Sequence, residues 1–379
     1  MNDPTVDVGI DATPLAGGHG ARGIGRYLSG LLDALADAPG PGGAARIGVL
    51  LAAGQRSPTV DATWRTRRSG WRPQDLDPVF AAIADRGAVR KNAPALWHHT
   101  DPLIGSSPLP LDRTVMTVYD LIPLRNPAVM ARIRVHRRMV YRRYLSMVRR
   151  ARGVIAISNV TADDVVVLLG VPRSRIHVVP PYVVAPDRGT AESGDARSSS
   201  GDAGPVRLLF VGVPEPHKRA DLAIATLAEL VGRGVDAQLA FVGVHPAAVG
   251  GELDRLTATA GVAGRVTFHG RVGDDRLSSL YRDAILLATS SIEGFGLPPI
   301  EALLAGGRVV ATPIPAYRES LRDAGVIAAA ADPAALANAV QVAIGHRPSA
   351  EDRSRIAARF GSRVVATSLR NAYDAMLHG

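Results

Sequence analysis

Residues 290–307 read SSIEGFGLPPIEALLAGG, and this stretch holds Glu293 and Glu301 with seven residues between them, among them a Gly-Phe-Gly loop. The apolar residues 284–289 before it predict a buried strand, and residues 308–312 after it predict the next one. The Pro-Pro pair fits a helix start, and the Gly-Gly pair fits its end. The unit is therefore strand, loop, helix and strand. In open parallel sheets, ligands bind beyond the carboxyl ends of the strands, where Glu293 and the loop amides are expected.

The same stretch resembles the donor-site motif of glycosyltransferase family 4, whose pattern is Glu, seven residues and Glu with Gly-Phe-Gly-Leu-Pro between them. The alternative is an ordinary βαβ crossover with surface glutamates. The resemblance covers essentially the whole chain, and residues 23–27 and 120–124 look most like mannosyltransferase-type members. It implies an α/β protein of the GT-B fold, with two Rossmann-like domains facing each other across a cleft that contains the active site.

Length and composition agree with a folded protein of more than one domain. The chain has 379 residues, 46% of them hydrophobic, and no cysteine, which excludes disulfides and thiolate metal sites. We find no signal peptide and no apolar run of about 18 residues, so we expect a soluble, cytoplasmic protein. The net charge of +9 suits anionic ligands. Only Lys91 and Lys218 are lysines; the other cations are arginines.

Strands alternate with helices in the first half of the chain, which predicts a parallel α/β sheet. The predicted strands are residues 6–12, 47–52, 114–118, 153–157 and 176–179, and the predicted helices are 24–36 and 161–169. We expect a Rossmann-like domain over residues 1–185, which the resemblance implies to be the acceptor domain.

Residues 186–205 are polar and lack apolar periodicity, so they predict a flexible linker. A second series follows, with strands at 206–211, 239–242 and 266–269 and helices at 275–282, near 333–345 and at 350–375. It predicts a Rossmann-like nucleotide-sugar donor domain over residues 206–360. In the fold that the resemblance implies, the last helix, here 361–379, crosses back to the N-terminal domain.

The loop after the first strand of this second series carries Gly212, His217 and Lys218. A glycine lets a ligand approach the backbone, and a lysine binds diphosphate oxygens as a compact charge. The family commonly has Glu-Pro-Arg-Lys here, and its cationic residues hold the donor diphosphate. Lys218 matches that pattern, whereas His217 replaces the arginine. The alternative is a surface turn with solvated charges.

The resemblance implies the remaining donor contacts. Glu293 would hold the sugar hydroxyls, Glu301 would accept hydrogen bonds from the ribose, and the amides of residues 294–296 would assist Lys218 at the diphosphate. The turn with Arg271 and Val272 would contact the base. The full predicted donor-binding set is Gly23, Gly212, His217, Lys218, Arg271, Val272, Glu293, Gly294, Phe295, Gly296, Leu297 and Glu301.

Two features of the N-terminal half bear on the chemistry. Residues 18–23 spell G-x-G-x-x-G, but the loop is long and no acidic residue follows the second strand, so a dinucleotide site is not favoured. The resemblance instead places Gly23 in a glycine loop that lines the cleft. Asp120 follows a strand and is predicted to face the cleft as a catalytic residue with Lys218 and Glu293; the alternative is a capping carboxylate. Tyr119 stands where the family often has histidine.

Metal and cofactor sites are not expected. His98 and His99 are adjacent in a strand, so their side chains point to opposite faces, and Trp97 to Asp101 could instead line the acceptor side. Asp75 and Asp77 form a lone D-x-D that we interpret as a solvated loop. The resemblance likewise implies a reaction without a bound metal, and we expect no cofactor.

Residues 131–152 hold nine arginines interleaved with apolar residues, which predicts a basic amphipathic helix. The favoured interpretation is a helix packed on the sheet with a solvated arginine face. The other is peripheral contact with an anionic membrane, at the inner face of the cell membrane. No nucleic-acid motif accompanies this segment.

The predicted function is therefore retaining transfer of a hexosyl unit, with mannose from GDP-mannose as the best guess, from a nucleotide diphosphate sugar to a hydroxyl acceptor. That acceptor could be a saccharide, a lipid-linked compound or a natural product. As the resemblance implies, the acceptor would attack from the face that the leaving group departs. Two rivals stay open: a GT-B-fold nucleotide-sugar 2-epimerase, and a non-catalytic protein that binds nucleotide sugars or anions.

Overall fold

The computed structural model describes residues 6–16, 23–38, 40, 45–51, 62–65, 93–100, 107–183, 204–243 and 251–379. The chain divides into two compact units, Met1–Tyr182 with Phe360–Gly379, and Val183–Arg359. The predicted linker lies outside the described residues except for its last two, Gly204 and Pro205. Among the described residues, the helices lack an apolar stretch long enough to span a lipid bilayer.

The first unit is built on a seven-stranded parallel sheet in the order β3-β2-β1-β4-β5-β6-β7. Its elements up to residue 178 are β1 (Val8–Asp11), α1 (Gly23–Asp37), β2 (Ile47–Leu51), β3 (Ala62–Arg65), β4 (Leu96–His99), β5 (Thr114–Val118), α2 (Ile122–Arg125), α3 (Pro127–Arg132), α4 (Val135–Arg150), β6 (Gly153–Ala156), α5 (Asn159–Leu169) and β7 (Ile176–Val178). The strands β1, β4, β5 and β6 are buried along their length, as expected for parallel strands covered by helices on both faces.

The second unit is built on a six-stranded parallel sheet in the order β10-β9-β8-β11-β12-β13. Its elements are β8 (Val206–Val211), α6 (Ala220–Gly232), β9 (Ala237–Val242), α7 (Glu252–Thr259), β10 (Val266–His269), α8 (Asp274–Asp283), β11 (Ile285–Ala288), α9 (Leu297–Leu304), β12 (Arg308–Ala311), α10 (Pro315–Leu321), β13 (Val326–Ile327), α11 (Pro333–Ile344) and α12 (Ala350–Arg359). Its core includes Phe210 and Phe241, whose ring centroids lie 5.0 Å apart.

Two predicted helices are each interrupted. The predicted helix 350–375 is two helices, α12 and α13 (Ser362–His378), because Gly361 has extended backbone angles and caps the second one. The basic segment 131–152 is also not one helix, since the chain is extended at Ile133 and Arg134 before α4 begins. The guanidinium of Arg138 stabilises this break by donating to the carbonyl oxygens of Ile133 and Ala131, each at 2.7 Å.

The C-terminal helix α13 packs in the first unit. Arg370 Nη1 donates to the carbonyl oxygen of Ala38 at 2.5 Å, and Arg152 Nε donates to that of Met376 at 3.0 Å. A Cβ at residue 153 would lie 2.3 Å from Met376 Sδ, so the methionine side chain of α13 packs closely on Gly153 of β6. These contacts place α13 directly against the sheet.

His98 joins this helix to the sheet. Its Nδ1 lies 2.7 Å from the hydroxyl of Tyr373, and its Nε2 lies 2.6 Å from Thr117 Oγ1. Burial, together with the neighbouring His99, lowers the pKa of His98 to about 3, so the imidazole is neutral at physiological pH. His98 is therefore a core residue with both ring nitrogens hydrogen-bonded, and the expectation that it could line an acceptor site is wrong for this side chain.

Tyr373→Phe should reduce the stability of the first unit, because it leaves Nδ1 of a fully buried imidazole without its partner. We expect a loss of about 1–3 kcal/mol in the free energy of unfolding, measured by urea denaturation. Tyr182→Phe is the matched control, since the hydroxyl of Tyr182 donates to Asp37 at the surface, and it should change stability by less than about 0.5 kcal/mol. Equal midpoints for the two variants would contradict the structural role of His98.

Candidate active site

The strand order of the second unit reverses between β8 and β11. The chain builds β9 and β10 on one side of β8 and then returns to place β11 on the other side. In open α/β sheets, the crevice beyond the carboxyl ends of the strands at such a point is where ligands bind. The loops that follow these two strands carry Lys218 and Glu293.

Lys218 and Glu293 form an ion pair at this point, with Lys218 Nζ donating to Glu293 Oε1 at 2.7 Å. Their side chains are 25% and 13% exposed, so the pair is largely withdrawn from water but still accessible. The hydroxyl of Ser290 donates to the same oxygen at 2.8 Å. Oε2 of Glu293 accepts no hydrogen bond from a described residue. The carboxylate is thus held through one oxygen and keeps the other available.

Glu293 is ionised at neutral pH. Burial acts to raise the pKa of its carboxyl, but the positive charge of Lys218 and the hydrogen bonds from Lys218 and Ser290 outweigh burial, so the pKa lies below its ordinary value. The site therefore pairs a fixed cation with a fixed anion.

Hydrogen bonds between the two loops hold Lys218 in place. It ends a short 3₁₀ helix, Pro216–Lys218, and its carbonyl oxygen accepts from Thr289 Oγ1 at 2.8 Å. The carbonyl oxygen of His217 accepts from the backbone N–H of Ser291 at 2.7 Å. Gly212 has a φ of +127°, which side-chain-bearing residues rarely adopt, and a Cβ there would lie 3.6 Å from Lys218 Cδ.

His217 differs from Lys218 in charge and exposure. Its side chain is buried, and burial lowers the pKa of the imidazole despite the opposing effect of Glu293 and Glu215, so the ring is neutral at neutral pH. Nδ1 lies 3.6 Å from Glu215 Oε2 and has no hydrogen-bond partner among the described residues. Of the two residues, Lys218 is therefore the one that supplies a positive charge; the predicted donor contact of His217 stays a prediction.

The Gly-Phe-Gly loop is packed rather than open. Gly294, Phe295 and Gly296 are buried, and Leu297 is the first residue of α9. Gly296 has a φ of +88°, and a Cβ on it would lie 2.6 Å from Cε1 of Tyr317, so only glycine fits there.

Glu301 lies one helical turn inside α9, half-buried, and its Oε2 accepts from the hydroxyl of Tyr281 at 2.9 Å. Tyr281 belongs to α8, and its carbonyl oxygen leaves no room for a side chain at Gly307, where a Cβ would lie 2.0 Å away. The turn after α9 therefore packs directly on α8, and this contact brings Tyr281 to Glu301.

The predicted base-contacting turn follows β10, the edge strand. Gly270 accepts a hydrogen bond from the backbone N–H of Gly243 at 2.9 Å, which ties the carboxyl ends of β9 and β10 together. Arg271 is exposed and Val272 is half-buried. Both residues lie beyond the carboxyl end of their strand, as Lys218 and Glu293 do.

Other predicted residues belong to the first unit. Asp120 Oδ1 accepts from the backbone N–H of Ile122, the first residue of α2, at 3.0 Å. Gly23 is the exposed first residue of α1, and a Cβ there would meet no atom within 4 Å. Residues 18–22, Asp75, Asp77 and Asp101 lie outside the described residues.

Three further side chains of the site were not identified from the sequence. Ser290 lay in the quoted stretch without an assigned role, and its position three residues before Glu293 is the signal that could have identified it. Tyr281 and Tyr317 carry no such signal, because their contacts depend on how α8 and α10 pack against the donor loop.

Residues 205–346 match the family described as glycosyl transferases group 1. The curated relatives include D-inositol 3-phosphate glycosyltransferase 2 of Catenulispora acidiphila, 32% identical over 245 residues, which covers 59% of this chain and 56% of the relative. Another is the D-inositol 3-phosphate glycosyltransferase of Nocardia farcinica, which is 33% identical over 226 residues. This match covers 57% of this chain and 48% of the relative. The chain thus spans about half the length of these relatives.

Solved structures match nearly the whole chain. Anabaena HepE in complex with UDP-glucose has a TM-score of 0.65 at 15% identity and covers 97% of this chain and 99% of its own. Sucrose-phosphate synthase from Thermosynechococcus elongatus has a TM-score of 0.63 at 20% identity, with 98% and 95% coverage. At these identities the likeness concerns the fold alone. The predicted α/β architecture of the GT-B type is confirmed.

Proposed function

We propose that the chain is a retaining glycosyltransferase that moves a hexosyl unit from a nucleotide diphosphate sugar to a hydroxyl acceptor. The observation that carries this proposal is the Lys218–Glu293 pair where the strand order reverses, inside the segment that matches glycosyl transferases group 1. A diphosphate leaving group needs a fixed cation, and a sugar needs fixed hydrogen-bond acceptors. The names of the curated relatives also support glycosyl transfer.

Lys218 would bind the diphosphate and stabilise the negative charge that develops as it leaves. An ammonium group has three N–H donors, so it can hold Glu293 and a phosphate oxygen at the same time. His217 and the amides of residues 294–296 would assist at the diphosphate, the imidazole as a neutral hydrogen-bonding group. Charge stabilisation of this kind is commonly the largest catalytic contribution.

Glu293 would accept hydrogen bonds from the donor sugar through Oε2, the oxygen to which no described residue donates. Glu301, oriented by Tyr281, would accept hydrogen bonds from the ribose. In the reaction the bond between the anomeric carbon and the diphosphate oxygen breaks, and a bond to the acceptor oxygen forms on the same face. The proton of the acceptor hydroxyl passes to the departing diphosphate. Asp120 would act on the acceptor side.

We infer GDP-mannose as the donor from the resemblance of residues 23–27 and 120–124 to mannosyltransferase-type members. The HepE structure contains UDP-glucose, which makes UDP-sugars the principal competing donors. The curated relatives are named for D-inositol 3-phosphate, so this polyol phosphate is the first acceptor to test.

The purified protein should release nucleoside diphosphate from one member of a panel that contains GDP-mannose and UDP-glucose, and faster when an acceptor is added. Lys218→Ala should reduce this turnover by roughly 10²–10³-fold, the cost of removing one charge-stabilising group. Arg219→Gln is the matched control, because it removes the adjacent positive charge, whose guanidinium pairs with Asp221 at 2.9 Å. This control variant should keep its turnover within about threefold of the wild-type value, because substitutions at the protein surface usually have small effects.

A wild-type protein that turns over no donor would contradict the proposed function. Normal turnover by Lys218→Ala would mean that the diphosphate is held elsewhere. The resemblance implies a metal-independent reaction, so turnover should persist in EDTA; a loss that manganese restores would contradict this part of the proposal.

Substitution of the two glutamates should separate their roles, because contacts to non-reacting groups affect binding whereas contacts made in the transition state affect kcat. Glu301→Gln should weaken binding of the free nucleoside diphosphate, measured by calorimetry. Glu293→Gln should leave that binding nearly intact and lower kcat by about 10–100-fold, the range for a hydrogen bond to a charged group. The reverse pattern would show that the assigned roles are exchanged.

We also infer that the outer face of α4 contacts anionic lipid headgroups. The inner face, which includes Tyr144 and Val148, packs in the core of the first unit, as the sequence predicted. On the outer face Val135 and Met139 are 71% and 61% exposed, one turn apart, next to exposed arginines. The guanidinium groups of Arg137 and Arg142 form no ion pair within the described residues. Positive charge around exposed apolar side chains suits a lipid surface better than nucleic acid.

Vesicles with phosphatidylglycerol should co-sediment the protein, and more weakly as salt is raised. Arg142→Gln should weaken partitioning about fivefold, since each arginine near an anionic surface contributes about 1 kcal/mol. Arg363→Gln, which removes an exposed charge from α13, is the control and should bind as wild type does. If the protein co-sediments equally with neutral phosphatidylcholine vesicles, or with neither kind of vesicle, the inference is contradicted and the arginine face is a solvated surface.

A further inference from the structure

Tyr281 holds Glu301 from a neighbouring helix. Its side chain is almost completely buried in the second unit, near the end of α8. Its hydroxyl donates to Glu301 Oε2 at 2.9 Å, across 20 positions of sequence. Glu301 is half-buried on α9, the helix that follows the Gly-Phe-Gly loop. The contact therefore joins two helices through one of the two glutamates of the site.

A backbone contact fixes the tyrosine independently of its hydroxyl. A Cβ at residue 307 would lie 2.0 Å from the carbonyl oxygen of Tyr281, so the turn after α9 packs directly on α8. Gly307 is itself tied to α9, because its backbone N–H donates to the carbonyl oxygen of Ala302 at 2.8 Å. The phenol hydroxyl therefore reaches Glu301 from a backbone that is anchored to the same helix, and it gives the carboxylate a defined place.

Packing alone does not explain the hydroxyl of Tyr281. A phenylalanine would fill the same buried space without withdrawing a polar group from water. The side chain of Glu301 is long and only half-buried, so without a partner it would adopt several rotamers, and a ligand would have to select one of them. A hydroxyl that donates to one carboxylate oxygen makes this selection before the ligand arrives. The contact thus preorganises Glu301 for a ligand.

We propose that Tyr281 is a positioning residue that fixes Glu301 for the ribose hydroxyls and makes the site selective for ribonucleoside over 2′-deoxyribonucleoside diphosphates. The proposal rests on the proposed role of Glu301 at the ribose. A carboxylate has about four lone-pair positions, so it can accept from the tyrosine and from ribose hydroxyls at the same time. A fixed carboxylate rejects a nucleotide that lacks its hydroxyl, because it cannot turn to another donor. A carboxylate that moves freely turns to water instead and discriminates less.

Calorimetry with paired nucleotides tests this role. The probes are GDP and UDP, each with its 2′-deoxy analogue, and the readout is the ratio of the two Kd values. For the wild type we expect the deoxy analogue to bind about tenfold more weakly, the scale of one hydrogen bond to a charged group. Tyr281→Phe should reduce this ratio to about threefold, mainly by weakening the ribonucleotide, since the ligand then has to order the glutamate itself. A purely structural role would weaken both nucleotides equally and leave the ratio unchanged.

Two further variants make the readout specific. Ser279→Ala is the matched control, because it removes a hydroxyl of the same helix that donates to the carbonyl oxygen of Asp275 rather than to Glu301. This control should keep the wild-type ratio. Glu301→Ala should remove most of the ribose preference, and adding Tyr281→Phe to it should change the ratio no further, since the tyrosine acts through the glutamate.

An unchanged ratio in Tyr281→Phe, or a further fall when this change is added to Glu301→Ala, would overturn the proposal. A wild-type protein that binds both members of each pair equally would also overturn it. If neither GDP nor UDP binds, the proposed role of Glu301 and the positioning role of Tyr281 fail together.

The binding measurement needs no turnover, and it therefore separates this proposal from the proposed function. If the wild type turns over a donor but Tyr281→Phe keeps the full ratio, only the positioning role fails. If no donor in the panel is turned over and Tyr281→Phe still loses the ribose preference, the positioning role stands and glycosyl transfer does not.

Discussion

The site of the second unit depends on the contact between Lys218 and Glu293, two residues 75 positions apart in the chain. They meet because β8 and β11 are neighbours in a parallel sheet, so that the carboxyl ends of the two strands lie side by side. The pair is not an efficient way to stabilise the fold, since withdrawing two charges from water costs about as much as their attraction returns. Its value is geometric: each charge holds the other at a defined place where a ligand can still reach both.

Much of this arrangement could be predicted from the sequence. The motif at 290–307 located the helix α9, the strands β11 and β12 and both glutamates, because proline, glycine and apolar runs mark such boundaries locally. The resemblance placed Lys218 on the adjoining loop, and the structure brings it to Glu293. The GT-B fold was predicted in the same way. The local pattern also gave one wrong prediction, a single helix over residues 350–375. The periodicity of this stretch does not show that Gly361 interrupts the helix.

The parts that escaped prediction are tyrosine side chains contributed by other elements of the second unit. Tyr281 reaches Glu301 from α8, and the ring of Tyr317 packs against Gly296 from α10. Tyrosines in amphipathic helices are ordinarily core residues, so their sequence context does not distinguish a hydroxyl that orients a carboxylate from one that is merely buried. His98 shows the converse case. Its sequence context suggested a binding role, but its two hydrogen bonds make it part of the core.

Three glycines shape the loops beside the charged pair. Gly212, Gly243 and Gly296 all have positive φ angles, and each lies in a loop that leaves the carboxyl end of a strand. Such angles let the chain turn sharply. A Cβ on Gly243 would lie 3.4 Å from the backbone of Gly212, and one on Gly296 would strike Tyr317. The missing side chains at Gly243 and Gly296 therefore let these loops pack closely, the first on the backbone of Gly212 and the second on the ring of Tyr317.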